Sequence, residues 1–257
     1  LSINAIDGAS AGIENVYITQ IITSFNQKLQ SQLIQYNDGK LVANQNIVTI
    51  PSFWYNETLN YKTFMVPGIL VLLVTMLTLF LSSMNIVREK EIGTLEQINV
   101  TPIKKYQFII GKLFPFWVLG LAILSIGLAI AKLVFNIPIL GNIGLIYLFT
   151  SVYLLVILGI GLIISNFTET QQQSMFVAWF FTVIFILMSG LFTPIESMPQ
   201  WAQNITLFNP IRYFVEIVRI VLLKGATFSE ISFQFFVIVL YAVILNGIAV
   251  WSYKKVS

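Results

Sequence analysis

Long runs without a charged residue alternate with short charged stretches along the chain. Five such runs of 19 to 36 residues occur, at 63–87, 113–131, 133–168, 170–195 and 231–253. A helix that crosses the hydrocarbon core of a bilayer needs about 20 mostly apolar residues. In the longest run, Asn136, Pro138, Gly141 and Asn142 predict a turn, so a helix is expected from Ile143. The pattern predicts five membrane-spanning helices, over about 64–86, 113–131, 143–165, 174–193 and 231–252.

Residues 1–62 carry a different pattern, which is less apolar and broken by polar side chains. Apolar positions spaced along one helical face predict an amphipathic helix over 14–36, with Val16, Ile21, Phe25, Leu29 and Leu33 on that face. The segment 46–50, Asn-Ile-Val-Thr-Ile, predicts a strand. We therefore expect a partial extracytoplasmic domain of α+β structure at 1–62, with a loose linker as the alternative, and an all-α membrane domain at 63–257.

Composition supports a membrane protein and excludes several kinds of active site. The chain is 57% hydrophobic and 10% charged, whereas soluble domains carry about 25% charged residues. It contains no cysteine and no histidine, which excludes disulfides, thiolate nucleophiles, the usual zinc sites and histidine general bases. Between residues 63 and 253, carboxylates occur only in predicted loops or in the segment 212–219, so an integral membrane enzyme is disfavoured.

The positions of Lys and Arg predict the orientation, because both residues favour cytoplasmic loops. Five of them lie between the first two spans and two more follow the last span: Arg88, Lys90, Lys104, Lys105, Lys112, Lys254 and Lys255. Five crossings put both groups in the cytoplasm only if residues 1–62 lie outside. An outer N-terminal segment implies an earlier span, so we expect six spans in an intact protein.

The charged stretch from 87 to 102 is more than a solvated loop. Gly93 is expected to end the first spanning helix, because glycine adopts the left-handed conformation at low cost. Thr94 and Gln97 form a candidate capping box, and Thr101 with Pro102 predicts the start of the next helix. The sequence thus predicts a short, separately capped helix over 93–100, suited to docking against another protein.

The stretch REKEIGTLEQINVTPIKKYQFIIGK resembles the coupling region of type 2 permeases of ATP-binding-cassette (ABC) exporters. The segments WYNETLNYKTFMVPG, QQQSMFVAWFFTVIFILMSGLFTPIESMPQW and NPIRYFVEIVRIVLLKG occur in the order found in that family. The resemblance covers about 54–255. It implies that the helix 93–100 sits in a groove of an ATPase subunit, with these coupling residues: Arg88, Glu89, Gly93, Thr94, Leu95, Glu96, Gln97, Thr101 and Pro102.

The resemblance also implies the assembly: two permease copies, or two homologous permeases, with two cytoplasmic ABC ATPase subunits that bind ATP and Mg²⁺. Neither Gly-Lys pair of this chain, at 39–40 and 111–112, is followed by Ser or Thr as a phosphate loop requires, and each is followed by Leu. We therefore expect no cofactor and no ATP site in this chain.

A second informative segment covers about 196–224. Asn209 and Pro210 predict a helix start, and Arg212, Glu216 and Arg219 share one face of that helix. The charges indicate an interfacial or re-entrant helical hairpin, because each would cost a few kcal/mol in a full span. The resemblance favours a re-entrant hairpin that closes an outer gate, formed by Pro194, Asn209, Pro210, Arg212, Glu216 and Arg219. The alternative is a helix lying on the outer surface.

Hydroxyl side chains lie on one face of two spans. They are candidates for a substrate path or for helix packing, the more common role: Thr75, Thr78, Ser82, Thr182 and Ser189. The leading hypothesis is the permease subunit of an ATP-driven, drug-exporter-like homodimer in the bacterial inner membrane, which moves an amphipathic or hydrophobic substrate outward by alternating access. The alternative is a structural or regulatory membrane subunit that docks an ATPase without transporting anything.

Overall fold

A computed structural model describes residues 2–4, 8–36, 47, 48, 50–54, 59–94 and 105–252. The chain divides into two compact units, an N-terminal unit at 1–64 and a membrane unit at 65–257. The division lies two residues from the boundary expected at 62/63.

The N-terminal unit contains one long helix and two very short strands. Strand β1 (Ser2–Asn4) pairs in parallel with β2 (Ser52–Trp54), and α1 (Gly8–Tyr36) covers the predicted helix. The strand predicted at 46–50 is wrong at its described residues Ile47, Val48 and Ile50, which are exposed and do not have strand conformation. Two three-residue strands beside a 29-residue helix do not support a mixed α+β domain.

Four helices of the described residues are long and apolar enough to cross a membrane. They are α2 (Tyr61–Ile92), α3 (Lys105–Leu133), α4 (Ile143–Phe167) and α8 (Phe228–Ser252). Asn142 caps α4 by accepting a hydrogen bond from the Gly144 amide at 2.8 Å, which confirms the helix start predicted at Ile143.

The predicted count of five spans is not supported, because the helix expected over 174–193 ends early. Helix α5 (Gln171–Leu187) has 17 residues, which corresponds to about 26 Å at 1.5 Å per residue. Gly190 has a φ of +77°, and this left-handed residue lies in the turn after Leu187, where the helix ends. The uncharged run therefore contains a helix and a turn rather than one continuous span.

Short elements connect α5 to α8. A 3-10 turn (Ile195–Ser197) precedes the short helix α6 (Gln200–Thr206). Helix α7 (Pro210–Arg219) continues into a π-helical turn (Ile220–Lys224). Eight of the ten residues of α7 are buried, so this helix does not lie on a surface of the unit.

Aromatic side chains of α4 and α7 fill the centre of the membrane unit. Phe149, Tyr153 and Phe214 are fully buried, and the rings of Tyr153 and Phe214 lie 4.2 Å apart between centroids. The Tyr153 hydroxyl lies 2.7 Å from the Thr75 hydroxyl of α2. A buried tyrosine needs such a polar partner, so this contact fixes α2 against α4.

The loop between α3 and α4 packs tightly against the π-helical turn. A Cβ atom on Gly141 would lie 2.4 Å from the carbonyl oxygen of Val221, which accepts a hydrogen bond from the Gly225 amide. Gly141→Ala is expected to lower the melting temperature in detergent, because forcing atoms into a packed contact costs about 1–3 kcal/mol. Gly247→Ala is the control, since its Cβ would meet nothing within 4 Å. Equal melting temperatures for the two variants would contradict this packing.

Candidate functional site

Five helix ends meet on one side of the membrane unit, which we call the basic end: the ends of α2, α4 and α8 and the starts of α3 and α5. Side-chain contacts from α2 reach α3, α4 and α5. The Asn166 amide of α4 donates to the Ser252 hydroxyl of α8 at 2.8 Å. An apolar cluster that includes Ile86, Leu158 and Leu162 packs beneath these contacts.

Glu89 connects α2 to α3. Its carboxylate forms an ion pair with the Lys112 ammonium, and both side chains are partly buried. The Thr94 hydroxyl donates to the Glu89 carbonyl at 3.3 Å. Thr94 thus caps the end of α2, and the capping box predicted with Gln97 involves residues outside the described part of the chain.

Lys90 connects α2 to the end of α4. Its ammonium donates to three backbone carbonyls, those of Ser165, Asn166 and Thr168, the last two at 3.3 and 3.1 Å. These carbonyls lie at the end of α4, where the helix has no further backbone amides to donate to them. A cation at a helix C-terminus is also favoured by the helix dipole.

Glu91 connects α2 to the start of α5. Its carboxylate accepts from the Gln171 backbone amide at 2.8 Å and from the Gln171 side-chain amide. Gln171 is the first residue of α5, where backbone amides lack intrahelical acceptors and negative charge is favoured. Sequence reasoning missed Lys90 and Glu91 as site residues, because nothing in the sequence pairs them with residues 75 to 80 positions away.

Gly93 ends α2 as predicted. The helix stops at Ile92 and Gly93 has a φ of +79°. The Arg88 side chain is exposed. The other predicted coupling residues lie outside the part of the chain that the structure describes: Leu95, Glu96, Gln97, Thr101 and Pro102.

A cleft of about 680 Å³ opens beside the Glu89–Lys112 pair, between α2 and α3. Polar and aromatic side chains share its wall, which is formed by Asn85, Gln107, Phe108, Gly111, Lys112, Pro115 and Phe116. The cleft is therefore amphipathic, and Lys112, in the first part of α3, is one of its lining residues.

The five hydroxyl side chains predicted as a substrate path are buried within the chain. Each is at most 2% exposed: Thr75, Thr78, Ser82, Thr182 and Ser189. Ser82 faces Gly161 so closely that a Cβ there would lie 2.2 Å from the serine oxygen. Thr182 of α5 and Ser189 just beyond its end both donate to carbonyls of α5. These positions match the helix-packing alternative, and the path stays a prediction.

Five of the six residues predicted as an outer gate lie in α7 or at its cap. Asn209 caps the helix, accepting from the Ile211 amide at 3.0 Å, and its side-chain amide donates to the Phe185 carbonyl of α5 at 2.6 Å. Pro210 occupies the first turn, and Pro194 directly precedes the 3-10 turn. The predicted cap and proline positions are thus observed.

The three charged residues of α7 each bind groups outside that helix. Arg212 donates to the Thr206 hydroxyl at 2.5 Å, and Glu216 accepts from the Gln234 side chain of α8 at 3.1 Å. Arg219 is 8% exposed, and its guanidinium donates to the carbonyls of Gly190 and Leu191 at 3.0 and 3.4 Å. The charges therefore join α7 to its surroundings.

Arg219 is expected to stabilise the turn that ends α5. Arg219→Met removes the donors to two buried carbonyls, and each unsatisfied buried group costs about 1–3 kcal/mol. The melting temperature in detergent, followed by tryptophan fluorescence, should fall clearly. Lys132→Met is the control, because it removes an exposed cation near the end of α3. An equal, small change in both variants would contradict the role given to Arg219.

Known proteins that are similar to this chain are named as ABC transporter proteins and transport permeases. The family model described as ABC-2 family transporter protein matches residues 2–251. The chain is 36% identical over 218 residues to a probable multidrug ABC transporter permease, YbhR, of Escherichia coli K12, covering 85% of this chain and 57% of that protein. It is 28% identical over 262 residues to the inner membrane transport permease YhhJ of the same organism, covering 99% and 67%.

A more distant relative is ABC transporter G family member 20 of Dictyostelium discoideum, 24% identical over 238 residues, which cover 92% of this chain and 32% of that protein. The chain thus spans little more than half the length of the YbhR permease that it matches. Four helices among the described residues are long and apolar enough to cross a membrane, and the family model extends over nearly the whole chain. The chain is therefore a multi-pass membrane protein that belongs to the ABC-2 transporter family.

Proposed function

We propose that this chain is the membrane-spanning permease subunit of an ATP-driven exporter, powered by separate ATPase subunits. The observation that carries the proposal is the end of α2, where a left-handed glycine follows charged residues bound to three other helices. A force applied to the chain after Gly93 would reach all of these helices. Such an arrangement suits a subunit that receives mechanical work from a partner.

The basic end faces the cytoplasm in this proposal, and the membrane is the bacterial inner membrane. The excess of Lys and Arg between α2 and α3 and after α8 supports that orientation. The names of two relatives, a multidrug permease and an inner membrane permease of Escherichia coli, support the location and the substrate class. The substrate is accordingly a hydrophobic or amphipathic compound, moved outward by alternating access.

A coupling helix over 93–100 docks in the ATPase, with Glu96 and the residues around it at the contact. Support comes from the end of α2 at Ile92 and the turn at Gly93. The region around α7 forms the outer gate, as a re-entrant hairpin. The hydrogen bonds of buried Arg219 to the turn after α5 support this assignment, because they join α7 to the segment that enters the hairpin.

A second permease copy, identical or homologous, completes the path. Helix α5 supports this arrangement, because it exposes large aromatic residues such as Phe176, Trp179 and Phe180 along a helix of only 17 residues. A helix shorter than the bilayer is accommodated in part by association with another protein. Substrate would pass between the two copies.

The alternative is a structural or regulatory subunit that docks an ATPase without moving substrate. The burial of all five candidate path hydroxyls favours it. Screening hydrophobic and amphipathic compounds on the complex in proteoliposomes separates the two functions. Compounds that are carried across the membrane and stimulate ATP hydrolysis support the exporter, and stimulation without movement supports the alternative.

The docking assignment is tested by co-purification with the ATPase subunit. Glu96→Arg and deletion of Gly93 are each expected to reduce the recovered ATPase at least five-fold, because one reverses a charge at the contact and the other removes the turn. Glu14→Arg, the same reversal on the exposed face of α1, should leave recovery unchanged. If both variants recover as much ATPase as Glu14→Arg does, the docking assignment is wrong.

The orientation is tested with single cysteines, which the chain permits because it has none of its own. Asn56→Cys should react with an impermeant maleimide added to intact cells, and Thr94→Cys should react only after permeabilisation. The reverse pattern would place the basic end outside.

A further inference from the structure

The end of α2 contacts both sides of one short turn. Residues 168–170 join the end of α4 to the start of α5. Lys90 donates to carbonyls before and within this turn, and Glu91 accepts from Gln171 directly after it. Two consecutive side chains of α2 therefore hold a turn that lies about 75 to 80 residues further along the chain.

The signs of the two charges match the two helix ends. The ammonium of Lys90 lies at the C-terminus of α4, where carbonyls carry partial negative charge, and the carboxylate of Glu91 lies at the N-terminus of α5, where amides carry partial positive charge. Charges that were merely solvated would need neither partner. Exchanging them would place each charge against the unfavourable helix end.

The break that ends α2 lies just beyond this contact. Helix α2 continues through Lys90 and Glu91 to Ile92, and the left-handed residue Gly93 follows. Both charged residues therefore precede the break and belong to the same helix that contacts Tyr153 in the centre of the unit.

We propose that Lys90 and Glu91 are positioning residues that join the α4–α5 turn to the end of α2, so that the two connections at the basic end move as one body. A displacement that enters after Gly93 then moves α2, α4 and α5 together. The proposal rests on the proposed docking of an ATPase at 93–102, and it assigns a role in that coupling to a turn that does not belong to the docking segment.

A reversible tether tests this proposal in the reconstituted complex of the chain with its co-purified ATPase. Glu91→Cys with Gln171→Cys removes the native contact when reduced and replaces it with a covalent link when oxidised, in a chain without other cysteines. Vanadate-sensitive ATP hydrolysis should be at least three-fold below the unmodified complex under reduction. Oxidation should restore it to within two-fold.

The matched control pairs Glu91→Cys with Gln172→Cys, whose native residue is exposed beside Gln171. This pair should stay impaired after oxidation. Lys90→Met should also lower hydrolysis, with recovery in Lys90→Arg, which keeps a donor for the α4 carbonyls. A purely structural role would not give recovery that depends on oxidation of one pair.

Three results would overturn the proposal: normal hydrolysis by the reduced pair, hydrolysis that falls further on oxidation, or failure of the pair to form a disulfide. A fall on oxidation would mean that the contact must open during each cycle. The proposed function fails separately if no ATPase co-purifies with the unmodified chain. The positioning role then fails as well. Co-purification of the cysteine pair with ATPase shows which of the two has failed.

Discussion

A backbone group that loses its helical partner inside or beside a bilayer must find another one, and this constraint organises both ends of the membrane unit. At the basic end, Lys90 supplies donors to the carbonyls that close α4. At the far end of α5, Arg219 and Asn209 do the same for the carbonyls of Gly190 and Phe185. Each long polar side chain belongs to one helix and completes the end of another, so helix ends hold the unit together.

Between these ends the packing depends on shape and on small buried hydroxyls. Ser82 of α2 faces a glycine of α4, and Thr75 shares a hydrogen bond with Tyr153. Such contacts let helices approach closely where lipid gives no hydrophobic drive for association. The lysine and arginine contacts described above lie at helix ends, whereas neutral hydroxyl and amide contacts, such as Asn246 to the Leu155 carbonyl at 2.9 Å, join the middles of the helices.

Much of this organisation could be predicted from the sequence, and the failures have physical causes. The uncharged runs locate the four long helices, and local rules locate the turn at Gly93 and the cap at Asn209. The prediction of a fifth span failed because counting uncharged residues does not detect the helix end at Leu187 and the turn at Gly190. The contacts of Lys90 and Glu91 could not be found, since their partners are distant in sequence and any solvated loop would show the same charges.

The short length of α5 has a consequence for the surrounding lipid. A helix of about 26 Å is a few ångströms shorter than a hydrocarbon core of about 30 Å. Around a single copy, lipid next to its exposed aromatic face would have to compress to keep those rings covered, at a cost of a fraction of a kcal/mol per ångström. A second copy seated on that face would remove this cost, so the mismatch with the bilayer itself favours pairing of two copies through α5.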